Sequence, residues 1–298
     1  RVELFKGKSH FGENVTFDET LPTNYLADEV IDDNKVNELL AKKYNETIVI
    51  AEDDSEILAY LKDELSTNFR VIAVNNGYDA VKAVMDDEVS LILSDVLMPA
   101  LNGFQLCSNI KSNIATCHIP IVLLTALSDD NQRIYGIAEG ADEYIHKPFN
   151  MQYVRLKIIR IIEERKRLAS TFAQKFGRLT RHEAANLPCV DDVFRDKLFN
   201  LIEAQHSDSN FKIELMSDML GMSRILLYRK ITSIFGMSPS DLLRNYRLQK
   251  AVQLLTDQRR NVSEVAYIVG FSSPAYFAKC FKSVYNMTPT EYMYRTRE

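Results

Sequence analysis

The sequence predicts an α/β unit with a parallel sheet covered on both faces, followed by an all-α unit built from a repeated helix pair. Three observations predict this. Short apolar runs (TIVIAEDDSEI at 47–57, LILSDVLMP at 91–99, IPIVLLTALS at 119–128, ADEYIHKPF at 141–149) alternate with helical stretches at 56–66, 77–86 and 151–167, the pattern of buried parallel strands. One phrase is stated twice near the C-terminus, IFGMSPSDLLRNYR at 234–247 and VYNMTPTEYMYRTR at 284–297. The charge is lopsided: the net is −5, with 15 Lys and Arg against 10 Asp and Glu over 193–298, which leaves 21 against 31 over 1–192. An acidic front and a basic back predict that only the back meets a polyanion.

Composition narrows the class. The 298 residues suffice for two domains, and 46% hydrophobic with 26% charged residues is the balance of a globular protein. No stretch approaches the ~18 continuous apolar residues of a membrane span, so this part is expected to avoid the membrane. No signal peptide is visible, and a cytoplasmic location is expected. The first residue is Arg, so the chain is expected to be a piece of a longer protein whose remainder can hold membrane spans. Cys107, Cys117, Cys189 and Cys280 form no close pair and read as reduced thiols. The five His form no cluster with Cys, which argues against zinc.

In the α/β unit each strand is expected to carry chemistry at its carboxyl end, where such sheets gather their ligands. Glu52 and Asp53, Asp95, Thr125 and Lys147 all fall there. Three carboxylates at one edge repel one another and raise each other's pKa. A divalent cation relieves this, and hard oxygen ligands suit Mg²⁺. An Asp beside such a cation can attack a phosphoryl group, while a hydroxyl (Thr125) and an ammonium (Lys147) hold its oxygens. Asp54 and Ser55 are better read as helix caps.

These residues resemble the receiver domain of two-component response regulators over 46–168. The resemblance implies a flavodoxin-like, doubly wound fold with a five-stranded parallel sheet. It implies Asp95 as phosphoacceptor, Glu52 and Asp53 as the acidic pair of a Mg²⁺ site with Asp53 the direct ligand, and the carbonyl of Leu97 as a further ligand. It implies Thr125 and Tyr144 as a switch pair, and Lys147 as the ammonium at the phosphoryl group, preceding Pro148 in a bond that is often cis. The acidic pair is Glu-Asp here, a common variant.

In the back half the echo extends upstream. Residues 213–241 align with 262–291 at an offset of 49, which becomes 50 after one inserted residue near Ser273. Matched positions include Met216/Val265, Ser217/Ala266, Gly221/Gly270, Arg229/Lys279 and Pro239/Pro289. Each copy reads as a short helix, a Gly that ends it, a Ser that caps the next helix (Ser223; Ser272 or Ser273), and that second helix. A small residue in the first helix lets the second cross it closely. This is a helix-turn-helix. Ser238-Pro239-Ser240-Asp241 and Thr288-Pro289-Thr290-Glu291 both read as helix starts, with a hydroxyl cap, Pro at the first position and an acid three residues after the cap. The first opens a helix over 239–257, about 28 Å long, which can hold two readers about one DNA turn apart, roughly 34 Å.

GFSSPAYFAKCFKSVYNMTPTEYM (270–293) resembles the signature of the AraC/XylS transcription regulators, with the match covering about 195–298. The resemblance implies that double-stranded DNA is read by Arg224, Ile225, Tyr228 and Arg229 of one helix and Ser273, Pro274, Ala275, Tyr276 and Lys279 of the other. Leu226, Leu227, Ile231, Phe277 and Phe281 are expected in the core.

Residues 1–26 resemble the end of a histidine-kinase ATP-binding domain, 27–45 read as a linker, 169–192 as a second linker, and 193–298 as the AraC-type domain. The order resembles the C-terminal portion of a hybrid two-component protein. It implies a histidine kinase partner in the same polypeptide and a full-length protein anchored in the inner membrane. A homodimer is expected, with RNA polymerase a further candidate partner. The run EERKR within 151–179 reads as a solvated face, with a signalling coiled coil or dimer contact as the alternative. Two rival readings are a Mg²⁺-dependent phosphohydrolase with an Asp nucleophile and a protein-interaction module without DNA binding. Leu97 stands where the common phosphohydrolase pattern has a second Asp, which argues against turnover, so no enzymatic activity is expected of this chain.

Overall fold

In a computed structural model, residues 33–126, 140–176, 191–256 and 260–295 are described. The expected kinase remnant at 1–26, residues 177–190 of the expected second linker and Cys189 lie outside them. The chain divides into two compact units that part between Glu164 and Arg165.

The first unit runs α1 (Asp33–Ala41), β1 (Thr47–Ala51), α2 (Ser55–Ser66), β2 (Arg70–Val74), α3 (Gly77–Asp86), β3 (Leu91–Asp95), α4 (Gly103–Ser112), β4 (Ile121–Thr125), β5 (Glu143–His146) and the first part of α5 (Met151–Phe176). All strands are parallel, in the order β2-β1-β3-β4-β5. Alternation decides which face each residue covers. Ile48, Ile50, Leu91, Leu93, Val122 and Leu124 pack with α2 and α5 through Leu58, Leu61, Leu65, Val154 and Ile158. Val49, Ile92, Ile121 and Leu123 pack on the other face with α3 and α4 through Ala80, Val84, Leu106 and Ile110. With both faces covered, β1, β3 and β4 are buried throughout, and each side chain of this kind contributes about 1.5–3 kcal/mol. The order reverses at β1–β3, which opens the crevice where doubly wound sheets bind ligands.

The linker expectation for 27–45 gives way in part. Residues 33–41 form α1, and Leu39 and Leu40 pack against the core. Asn68, 3% exposed, donates from Nδ2 to the carbonyls of Leu40 and Lys42 at 2.8 and 2.7 Å. Those bonds satisfy carbonyls at the helix end that have no partner within it.

The second unit takes the rest of α5, then α6 (Asp192–Gln205), α7 (Ile213–Met219), α8 (Arg224–Phe235), α9 (Pro239–Thr256), α10 (Val262–Ile268), α11 (Pro274–Tyr285) and α12 (Pro289–Arg295). The linker expectation for 169–192 gives way over 169–176. Ala169, Phe172 and Phe176 are buried, and both rings stack near Phe199, with Phe172 also against Phe235. Their spacing of three and four residues is one helical face, so the end of α5 is part of the second core.

The repeated phrase forms the helix starts it predicts. The Asp241 amide donates to Ser238 Oγ at 3.1 Å. The Glu291 amide donates to Thr288 Oγ1 at 3.2 Å, and the Thr288 amide returns a bond to Glu291 Oε2 at 2.7 Å, a complete capping box. Just before each stands a left-handed residue, Gly236 (φ 66°) and Asn286 (φ 58°), that terminates α8 and α11. Gly and Asn are the types that take this conformation most readily.

Gly221 and Gly270 also have positive φ, 68° and 88°, but their surroundings differ. A Cβ on Gly270 would lie 2.1 Å from the His206 carbonyl oxygen, whereas nothing lies within 4 Å of one on Gly221. Gly270→Ala is therefore expected to destabilise the second unit by about 3 kcal/mol. Gly221→Ala should cost about 1 kcal/mol, from the left-handed backbone alone. Urea unfolding of the two variants measures the difference, and equal losses contradict the close-approach account.

Candidate functional site

Glu52 and Asp53 follow β1, and Asp95 ends β3, so adjacent parallel strands deliver three carboxylates to one edge. Oxygens of Glu52, Asp53 and Asp95 lie within 4.8 Å of one another. Glu52 is 1% exposed and Asp95 8%, while Asp53 faces solvent. Lys147, just past β5, closes the cluster. Its Nζ lies 3.1 Å from Glu52 Oε2 and 3.1 Å from Asp95 Oδ2. Asp95 Oδ1 also accepts from the Val96 amide at 2.8 Å. The Lys147–Pro148 peptide is cis. Gly103 holds the loop after β3 close, since a Cβ there would lie 2.4 Å from the Asp95 carbonyl oxygen.

The electrostatics follow from this crowding. Burial first, and the Asp95 carboxylate second, push Glu52 up to about 7 against the pull of Lys147. Burial draws Lys147 down, but Glu52 and Asp95 outweigh it and hold the ammonium above its usual value. Asp54 stands outside the cluster and caps α2, accepting from the amides of Glu56 and Ile57 at 2.8 and 3.1 Å. Thr125, 5% exposed, ends β4 one residue beyond the Asp95–Leu124 pairing. Tyr144 sits in β5 beside Leu123, half-buried against the α3–α4 core. The Leu97 side chain is 60% exposed.

In the second unit, α7–α8 and α10–α11 are the two helix-turn-helix pairs. Their inner contacts are Met216 and Ser217 in one and Val265 and Ala266 in the other, all buried. Ser223 and Ser273 cap the second helices, accepting from the Leu226 and Tyr276 amides at 3.3 and 3.4 Å. Leu227, Ile231, Phe277 and Phe281 are fully buried, whereas Leu226 is only half-buried. Arg224, Ile225 and Tyr228 on α8 are exposed, as are Ala275, Tyr276 and Lys279 on α11. Arg229, Ser273 and Pro274 are half-buried. Arg224 is paired with Glu214 of α7 at 3.0 Å.

Lys230 is the residue that pattern reading missed. A basic side chain on a reading helix suggests phosphate contact, yet it is 0% exposed, 2.6 Å from Asp191 Oδ2 and stacked over Phe194. Arg247 on α9 was equally silent. It donates to the carbonyls of His206 at 2.8 Å and Asp208 at 2.7 Å, which ties the loop before α7.

Because Glu52 has a raised folded pKa, the folded state binds more protons than the unfolded state between about 4.5 and 7. Stability of chelator-treated protein should therefore fall as pH rises through that window, by up to about 1.4 kcal/mol per unit. Glu52→Gln should flatten the slope. Denaturant titrations at several pH values check this, and an unchanged slope contradicts it.

Two family models match the chain: the response regulator receiver domain over 48–159 and a helix-turn-helix domain over 216–295. The chain is 37% identical over 280 residues to Histidine kinase P4 of Formosa agariphila, which covers 94% of this chain and 20% of that protein. It is 38% identical over 113 residues to the transcriptional regulatory protein GltR of Pseudomonas aeruginosa, covering 38% of this chain and 47% of that protein. The chain thus spans about a fifth of the first relative and about half of the second. Among solved structures, a signal receiver domain of a histidine kinase from Syntrophus aciditrophicus is 33% identical, covering 40% of this chain and 91% of that one at a TM-score of 0.38. The chain thus joins a response regulator receiver domain to an AraC-type helix-turn-helix domain.

Proposed function

We propose that Asp95 is the phosphoacceptor and that its phosphorylation controls how the tandem helix-turn-helix pairs hold DNA. The observation that carries this is the sharing of one ammonium, Lys147, by Asp95 and Glu52 at 3.1 Å each beside the exposed Asp53. An Asp95 oxygen attacks the phosphorus of a phosphohistidine. The P–N bond breaks as the acyl phosphate forms, and the imidazole leaves with a proton. Lys147 then balances charge on the phosphoryl oxygens. The three carboxylates suit a hard divalent cation, and Mg²⁺ would be held by Asp53 and Asp95 with Glu52 and the Leu97 carbonyl in support. That cation supplies charge neutralisation at the transferring group.

Thr125 ends the strand beside Asp95, and Tyr144 occupies the next strand outward. Their proposed role is to move with the phosphoryl group and shift a two-state equilibrium. Similarity to a protein named a histidine kinase supports a donor kinase in the same polypeptide, of which residues 1–26 would be the end. A homodimer on repeated half-sites fits the doubling of contacts that dimers bring, and RNA polymerase is a further partner. No helix among the described residues is long and apolar enough to cross a membrane, and the anchored, inner-membrane location is proposed for the full-length protein only.

Beryllium fluoride with Mg²⁺ should change both duplex affinity and oligomeric state, and Asp95→Asn should abolish the change and the uptake of phosphate from acetyl phosphate. Gel shift and light scattering report these. Identical affinity and identical mass with and without the phosphoryl mimic would sink the switch.

A further inference from the structure

We infer that the two reading helices recognise thymine through its methyl group, with Ile225 and Ala275 as the specificity-determining side chains. This rests on the DNA-binding reading and names the base it selects. Both residues hold the second position of their helix, after Arg224 and Pro274, and the first turn of a recognition helix is the part that meets base edges. Both are exposed, Ile225 at 64%. Neither side chain has a hydrogen-bonding atom. Set against a cytosine amino group or a guanine carbonyl in a closed groove, such a side chain leaves a donor or acceptor unsatisfied. The thymine methyl is the one major-groove feature that an apolar side chain complements.

The repeat supports the assignment independently. At the offset of 50, Ile225 aligns with Ala275 and Arg229 with Lys279. Each helix thus carries an apolar residue and, four positions on, a cation on the same side. Tyr228, 53% exposed, lies one turn beyond Ile225 and extends the apolar strip. A protein occupant of this strip would have to accept two cations on matching faces, which duplex DNA does by nature. Ile225 offers more apolar surface than Ala275, so discrimination is stronger at the first subsite.

The test uses the whole chain and duplexes enriched from a random pool, resynthesised with deoxyuridine replacing thymidine one position at a time. Wild-type protein is expected to lose about fourfold in affinity at the position facing Ile225, the worth of one buried carbon, and less at the position facing Ala275. Ile225→Ser should bind thymine and uracil duplexes equally at the first position and keep the discrimination at the second. Its exposure leaves folding intact, which an unchanged thermal transition verifies. Equal affinity for thymine and uracil at every position, or a ratio unaltered in Ile225→Ser, overturns the inference alone. A chain that enriches no sequence overturns the DNA-binding reading and this inference with it.

Discussion

Like charges brought to one sheet edge have to be compensated, and Lys147 does that for Glu52 and Asp95. The ammonium is as much a structural element as a chemical one. Parallel strands leave no choice about where their ends fall, so a sheet that places Glu52 beside Asp95 needs a cation between them. The same pairing leaves Asp95 Oδ1 toward the Val96 amide, fixing the carboxylate plane. The burial that drives Glu52 toward neutrality arises from the core strands themselves, so the energetics of the site are inseparable from those of the fold.

The second unit solves a different problem, that of ending and restarting helices within a few residues. It uses one solution twice: a left-handed residue, then a hydroxyl cap, a Pro and an acid. Gly236 and Asn286 are chemically unlike but conformationally equivalent. The aromatic cluster of Phe172, Phe176, Phe199 and Phe235 then joins the helix ends to one core, drawing in a helix whose beginning belongs to the first unit.

Much of this was legible in the sequence. Buried strands announce themselves as apolar runs, and the acids at their ends are fixed by topology. The repeat is legible because two copies fold alike. What escaped was long-range pairing. Lys230 looks like a groove-facing base until Asp191, 39 residues away, is seen to hold it. Ala169, Phe172 and Phe176 had the right spacing, but the charged residues around them hid it. Helix α1 escaped because an acidic run obscures Leu39 and Leu40. The Gly236/Asn286 equivalence stood in the quoted phrase but shows its meaning only once φ is known.

The carbonyl of His206 is a meeting point. Arg247 grips it from α9, and Gly270, at the turn of the second helix-turn-helix, is pressed against the same oxygen. The turn that leads into the first helix pair is therefore held against the second pair as well as against α9. On the proposed reading, lengthening the operator by one base pair would turn the second subsite by roughly 35° about the duplex axis. On that reading the extra contact at His206 resists such a rotation, which favours operators of one helical phase.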